Sequence, residues 1–187
     1  MRKLLVLFSL LLVTACIPSY KLLKTGNRVM WDSYTVATAE NINEMQSEKA
    51  ISWTQYGPIL ENIQFIKPLK EGDKIPGDYK DDVASKVPAY RTGMTPEEVV
   101  ELYRSSVSLN GKVVTEISEL TPRDIGGLAG YSFEAFVSTP KGKDLRVKIY
   151  FVEKDSKLYL IEFGARAVHY YQARLQTAEQ VVNSLTF

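Results

Sequence analysis

One cysteine and one histidine in 187 residues are scarce enough to remove several kinds of chemistry. A single thiol, Cys16, cannot form a disulfide within the chain. A single imidazole, His169, excludes zinc sites built on two histidines, and a Ser-His-Asp triad would depend on that one ring. No serine stands in a G-x-S-x-G sequence, so the nucleophile elbow of α/β-hydrolases is missing as well. Long apolar runs are also absent: Leu4 to Val13 is almost purely apolar, but falls well short of the ~20 residues a membrane-spanning helix needs. Nor is there an excess of one charge. The 23 lysines and arginines against 22 aspartates and glutamates create no global field to recruit nucleic acid, so no nucleic-acid partner is expected. Neither low-complexity segments nor a repeat of fixed period occur, which excludes a solenoid.

What is present begins at the N-terminus. Met1, Arg2 and Lys3 carry positive charge, the apolar run follows, and Thr14 and Ala15 are small. These are the three zones of an export signal, here residues 1–15. Its removal leaves roughly 170 residues near neutrality, enough for one domain with a substantial core. The lone cysteine sits where the signal ends, and Val13-Thr14-Ala15-Cys16 resembles the lipobox of bacterial lipoproteins. That resemblance implies cleavage before Cys16, a diacylglyceryl group on its thiol and an acyl chain such as palmitate on its amino group. Each buried methylene contributes about 0.8 kcal/mol, so several chains hold a protein firmly to a membrane. Ile17 lacks the aspartate associated with inner-membrane retention, so the same resemblance implies the outer membrane, facing the periplasm. Residues 16–27 then read as a lipidated cysteine and tether, at most ~35 Å if fully extended. Residues 28–187 read as a single α+β domain.

Within that domain, β-branched and aromatic residues predict a strand over 28–38, and the polar stretch 39–49 reads as a loop. Gly57-Pro58 separates ISWTQY from ILENIQFI and predicts a hairpin, with Ile59, Ile63 and Phe65 on one face. The charged stretch 67–90 reads as irregular and exposed. Thr95-Pro96-Glu97-Glu98 is a capping box with proline at the first helical position, followed by Val99, Leu102, Tyr103 and Val107 at helical spacing and Asn110-Gly111 as the stop. After VVTEISEL at 113–120 come three runs, 128–138, 145–153 and 158–164, joined by short polar links that favour an antiparallel meander. The last run is apolar on both faces and therefore central. Tyr171, Leu175, Ala178, Val182 and Leu185 predict a closing helix lying across the meander, with Gln172, Arg174, Glu179 and Asn183 on its outer side.

The charged and glycine-rich motifs have ordinary structural readings. Asp73, Asp78, Asp81 and Asp82 lack the regular ligand spacing and closing glutamate of an EF-hand, so they read as a solvated loop and no metal site is expected. GGLAG at 126–130 lacks the Gly-Lys-Ser/Thr ending of a phosphate loop and precedes a strand, so it reads as a turn and no cofactor is expected. Lys141, Lys143, Arg146 and Lys148 read as a small basic edge that protects an exposed strand, with binding of anionic lipid or a cell-wall polymer as the alternative.

WTQYGPIL at 53–60, KLYLIEF at 157–163 and NSLTF at 183–187, in that order among the elements, resemble PsbP-like proteins. The resemblance implies an α+β fold with helices on both faces of an antiparallel sheet of about six strands, a three-layer αβα sandwich. It also implies an accessory domain whose surfaces act without catalysis, so no catalytic residue is expected and the partners are the membrane, through Cys16, and another envelope protein. Eleven tyrosines with Trp31 and Trp53 motivate an alternative, a carrier or sensor of a small apolar ligand. A cell-envelope hydrolase, which would have to rely on His169, is the third reading.

Overall fold

Alternating side chains and tight polar links build this molecule around a long meander. The computed structural model describes residues 20–139, 142 and 144–187; the signal, Cys16, Lys141 and Lys143 lie outside the described residues. The strands are β1 (Lys21–Leu23), β2 (Gly26–Met30), β3 (Tyr34–Thr38), β4 (Ile42–Gln46), β5 (Ala50–Thr54), β6 (Glu61–Leu69), β7 (Val113–Ile117), β8 (Thr121–Ile125), β9 (Leu128–Ser138), β10 (Asp144–Lys154) and β11 (Lys157–Arg166). The helices are α1 (Asp81–Ala84), α2 (Pro96–Leu109) and α3 (Tyr170–Asn183). Nine strands form one sheet in the order β1-β4-β5-β6-β11-β10-β9-β7, with β8 also pairing β9, and β2 and β3 form a separate hairpin. Every pairing is antiparallel.

The sheet therefore has nine strands where about six were expected. The additional strands are short: β1 has three residues and is largely exposed, β8 reads TPRDI, and β4 lies within the stretch 39–49 expected to be loop. Strands near an edge are held mainly by backbone hydrogen bonds to a neighbour, so their side chains carry little periodic signal. Pro122 is tolerated because β8 pairs on one side only. The strand expected over 28–38 is instead the β2–β3 hairpin, with Trp31 and Asp32 at positive φ in its turn. Gly126 and Gly127, at φ 62° and 80°, close a two-residue hairpin between β8 and β9, a geometry that requires positive φ at both central residues. The stretch 16–27 is not wholly a tether, since β1 and the start of β2 fall within it.

The two sheet faces bury separate cores. Against one lie α3 and the β2–β3 hairpin, with Met30, Val36, Phe65, Phe163, Tyr171 and Val182 in contact. Against the other lie α2 and the segment after β6, with Tyr90, Leu102, Tyr103, Phe133, Ile149 and Leu160. Central β11 feeds both, Leu158 and Leu160 on the α2 side and Tyr159, Ile161 and Phe163 on the α3 side, as its two apolar faces predicted. The tyrosines Tyr34, Tyr90, Tyr103, Tyr150, Tyr159 and Tyr171 are buried core residues. Three of them donate to carboxylates: Tyr90 to Glu153 at 2.8 Å, Tyr103 to Glu162 at 2.7 Å and Tyr150 to Glu179 at 2.9 Å. Their rings fill the interior and the hydroxyls of these three are satisfied, so packing in the core accounts for them without a ligand.

The capping box forms as expected. Glu98 N donates to Thr95 Oγ1 at 3.3 Å and Thr95 N to Glu98 Oε2 at 2.8 Å. Thr95→Ala is expected to cost about 1 kcal/mol, measured as a lowered urea midpoint with unchanged slope.

Two expectations for α3 are corrected. Arg174, expected on the outer side, is buried, with both terminal nitrogens paired to Glu40. Glu179 is half-buried and accepts from Arg123 at 2.5 Å, Lys148 at 2.7 Å and Tyr150. Burial pushes the Glu179 carboxyl up, but these donors outweigh it and hold the group below its ordinary 4.5. A carboxyl depressed by folding stabilises the native state above its unfolded pKa and ceases to as pH falls through the folded value. The urea midpoint is therefore expected to drop as pH falls below the ordinary carboxylate range, and to drop less in Glu179→Gln.

Candidate interaction surface

Charge expected to be free is mostly engaged in the fold. Arg146 and Lys148 lie on interior β10 and do not make a basic edge. Arg146 Nε donates to Glu134 at 2.8 Å and its guanidinium sits 4.5 Å from the centre of the Tyr171 ring, while Lys148 pairs with Glu179. Asp73 accepts from the Lys70 amide at 2.8 Å, and Asp81 and Asp82 occupy the first turn of α1. Among the described residues, no group of three or more potential metal ligands converges, and no helix is long and apolar enough to cross a membrane. His169 is exposed at the N-cap of α3, its ring edge-on to Tyr170 at 5.2 Å.

The arrangement that stands out is the loop between β5 and β6, which contains most of WTQYGPIL. Trp53 is fully buried against Phe65, with ring centres 4.8 Å apart, and its indole N–H donates to Glu44 at 3.0 Å. One turn later the chain is organised by Glu61, 2% exposed. Its Oε1 accepts from Gln55 N at 2.5 Å and Tyr56 N at 2.9 Å, and lies 2.8 Å from the Thr54 hydroxyl. Gly57 N donates to Thr54 Oγ1 at 2.8 Å, and Gly57 itself has φ 104°, unfavourable for other residues. A buried carboxylate is costly unless it accepts hydrogen bonds; here the loop it shapes supplies them to Oε1.

The result is an apolar loop held out into solvent. Tyr56 is 56% exposed and Ile59 63%. Ile59 thus leaves the face on which Ile63 and Phe65 are buried, because β6 begins at Glu61 and the preceding turn redirects the chain. Beside it runs the β11–α3 connection: Arg166 N donates to Leu60 O at 2.9 Å, Tyr170 packs on Tyr56 with ring centres 5.7 Å apart, and Val168 is 99% exposed. Exposed Val113 starts β7 at this same end of the sheet, opposite Ser138. Sequence reasoning missed Glu61 and Val168 and placed Ile59 on one face with Ile63 and Phe65. The available signal was the Gly-Pro turn with an aromatic before it and an aliphatic after it.

The other two motifs of the resemblance are structural. KLYLIEF is the central strand. NSLTF fastens the C-terminus to β3: Thr35 and Thr186 exchange backbone bonds of 2.8 and 2.9 Å, Ala37 N donates to Ser184 Oγ at 2.8 Å, and Phe187 packs on Tyr159 at 4.8 Å.

No protein-family model and no curated protein matches the sequence. Among solved structures, the chain is similar to cyanobacterial PsbP (CyanoP) from Synechocystis, at 14% identity over 92% of this chain and 97% of that one, with a TM-score of 0.56. LpqN of Mycobacterium tuberculosis, involved in cell envelope biogenesis, aligns at 15% identity over 90% of each chain with a TM-score of 0.40. The Ran-binding protein Mog1p of Saccharomyces cerevisiae aligns at 11% identity over 90% and 95%, with a TM-score of 0.43. The latter two superpose too loosely to bear on function. The likeness to PsbP is one of fold: this chain has a PsbP-like α+β architecture.

Proposed function

We propose that this protein is a non-enzymatic interaction domain of the bacterial cell envelope, held to its membrane by lipid on Cys16, that binds another envelope protein through the exposed loop at 55–60. The observation that carries this reading is Glu61, a buried carboxylate that fixes a loop presenting Tyr56 and Ile59 to solvent. Exposed apolar side chains on a pre-organised backbone favour association, because little conformational entropy remains to be lost on binding. Aromatic anchors of this kind commonly dominate interface energies. The lipobox resemblance supports residence at the outer membrane, facing the periplasm.

The test is a photo-crosslinking amino acid at Val168 in living cells. One discrete adduct, lost on Tyr56→Ala or Ile59→Ser, is expected; adducts no stronger than those from a crosslinker placed on α1 would defeat the proposal. Separately, labelled palmitate should enter the wild-type chain and not the Cys16→Ser variant.

A further inference from the structure

The two ends of the sheet differ in chemistry. One carries Tyr56, Ile59, Val113 and Val168. At the other, the β4–β5 turn and the end of β6 bring Lys49, Lys67, Lys70 and Lys74 around an open groove of about 490 Å³. Lys67 N donates to Lys49 O at 3.0 Å, which sets these two lysines side by side, and all four are exposed. Lys74 Nζ donates to the Ala84 carbonyl at 2.7 Å, a contact that leaves its charge uncompensated. Among the described residues, none of the four takes part in an ion pair. Glu48 and Asp73 also line the groove, and Asp73 keeps its charge while accepting from the Lys70 amide, so four lysines face two carboxylates. The groove therefore has an excess of positive charge in a protein that is nearly neutral overall.

The register shows which end the N-terminal segment serves. Lys21 pairs Glu44 and Leu23 pairs Ile42, while Glu44 pairs Trp53 and Trp53 pairs Ile63. Following β1 backwards from Leu23 to Lys21 thus leads away from the 55–60 loop, towards the end where Lys67 and Lys70 stand. Three residues separate Cys16 from Tyr20, and the extended chain covers at most ~13 Å from one to the other. Along β6, Lys67 is three residues beyond Gln64, the level that Tyr20 has reached, or ~10 Å. The lysine end thus lies within reach of an anchor at Cys16, whereas approach to the apolar end requires the chain to reverse.

We infer that the lysine groove is a membrane-facing surface that docks on anionic phospholipid headgroups of the leaflet holding the anchor, and so points the apolar end away from the bilayer. This inference rests on the anchor reading above. Lysines near an anionic surface each contribute about fivefold in affinity and lose that contribution as salt rises.

The test uses the chain from residue 16 with Cys16→Ser, which keeps both cores intact because all their residues lie between Met30 and Leu185. Co-sedimentation with vesicles of phosphatidylglycerol and phosphatidylcholine is compared with phosphatidylcholine alone. Binding to the anionic vesicles is expected, falling more than about tenfold in a Lys49→Gln, Lys67→Gln, Lys70→Gln variant. A charge-matched Lys80→Gln, Lys86→Gln, Arg104→Gln variant should bind as the parent does. Equal losses in the two variants, or none in the first, would overturn the inference. Palmitate labelling separates the two readings: a labelled wild type whose parent domain ignores anionic vesicles defeats the groove alone. An unlabelled wild type with charge-dependent vesicle binding defeats the anchor and leaves the groove.

Discussion

Trp53→Ala is expected to destabilise the domain by about 4 kcal/mol, a large share of the roughly 5–15 kcal/mol that holds a domain of this kind together. Trp53 is fully buried and meets Phe65 edge-on, so truncation leaves a cavity in the core between the sheet and α3. It also removes the indole N–H from Glu44, which keeps only Arg28, at 2.9 and 3.1 Å. Trp53→Phe separates the two effects. It retains most of the ring and loses the donor, and should cost about 1–2 kcal/mol, the range for depriving a buried acceptor of one bond. Urea unfolding measures both variants. A loss under about 1 kcal/mol for the alanine would contradict the packing described for this face.

Glu61→Ala should have the second large effect, about 3 kcal/mol, because the Gln55 and Tyr56 amides lose their shared acceptor together, while the Thr54 hydroxyl keeps the Glu61 backbone carbonyl. Glu61→Gln keeps one carbonyl oxygen in place and should cost about 1 kcal/mol. Hydrogen exchange at the Gln55 and Tyr56 amides is expected to quicken in the alanine variant, since these protons would face water without a partner. The loop would then sample many conformations, and partner crosslinking at Val168 should weaken even where the domain remains folded. Tyr56→Ala and Ile59→Ser differ in kind: both side chains are exposed, so stability should change little while crosslinking is lost. Strong binding by Glu61→Ala would show that a rigid loop is unnecessary.

Elements with strong local signals were legible in the residues. The capping box started α2 where Thr95 and Glu98 required, and the meander of β9, β10 and β11 followed from alternation and short polar links. The dual apolar faces of 158–164 marked a central strand, and the closing helix lies across the sheet as its periodicity implied. The misses share a cause. Strands β1, β4 and β8 are too short to show a clear period, and they exist because a neighbour offers backbone groups to pair. Arg174 looked like a solvent-facing residue, and it is buried because Glu40, far away in sequence, meets it. The candidate surface was hidden for a similar reason: Ile59 continues an apolar pattern that the turn at Gly57 breaks, and Glu61 looks like any exposed glutamate until it is seen under the loop.

By itself, the sequence determined features whose causes are local. It supplied the lipobox resemblance at Cys16, ruled out an intrachain disulfide and two-histidine chemistry, and set the start of α2 and the alternation that makes a half-buried sheet. Such features depend on residues a few positions apart, so a linear reading suffices. The tertiary structure decided what depends on distant groups meeting: nine strands instead of six, the burial of Arg174 and Glu61, and the separation of an apolar end from a lysine end. Pairing partners and buried charges are chosen by the whole fold, since an edge strand or a carboxylate is stabilised by what packs beside it and not by its neighbours in the chain.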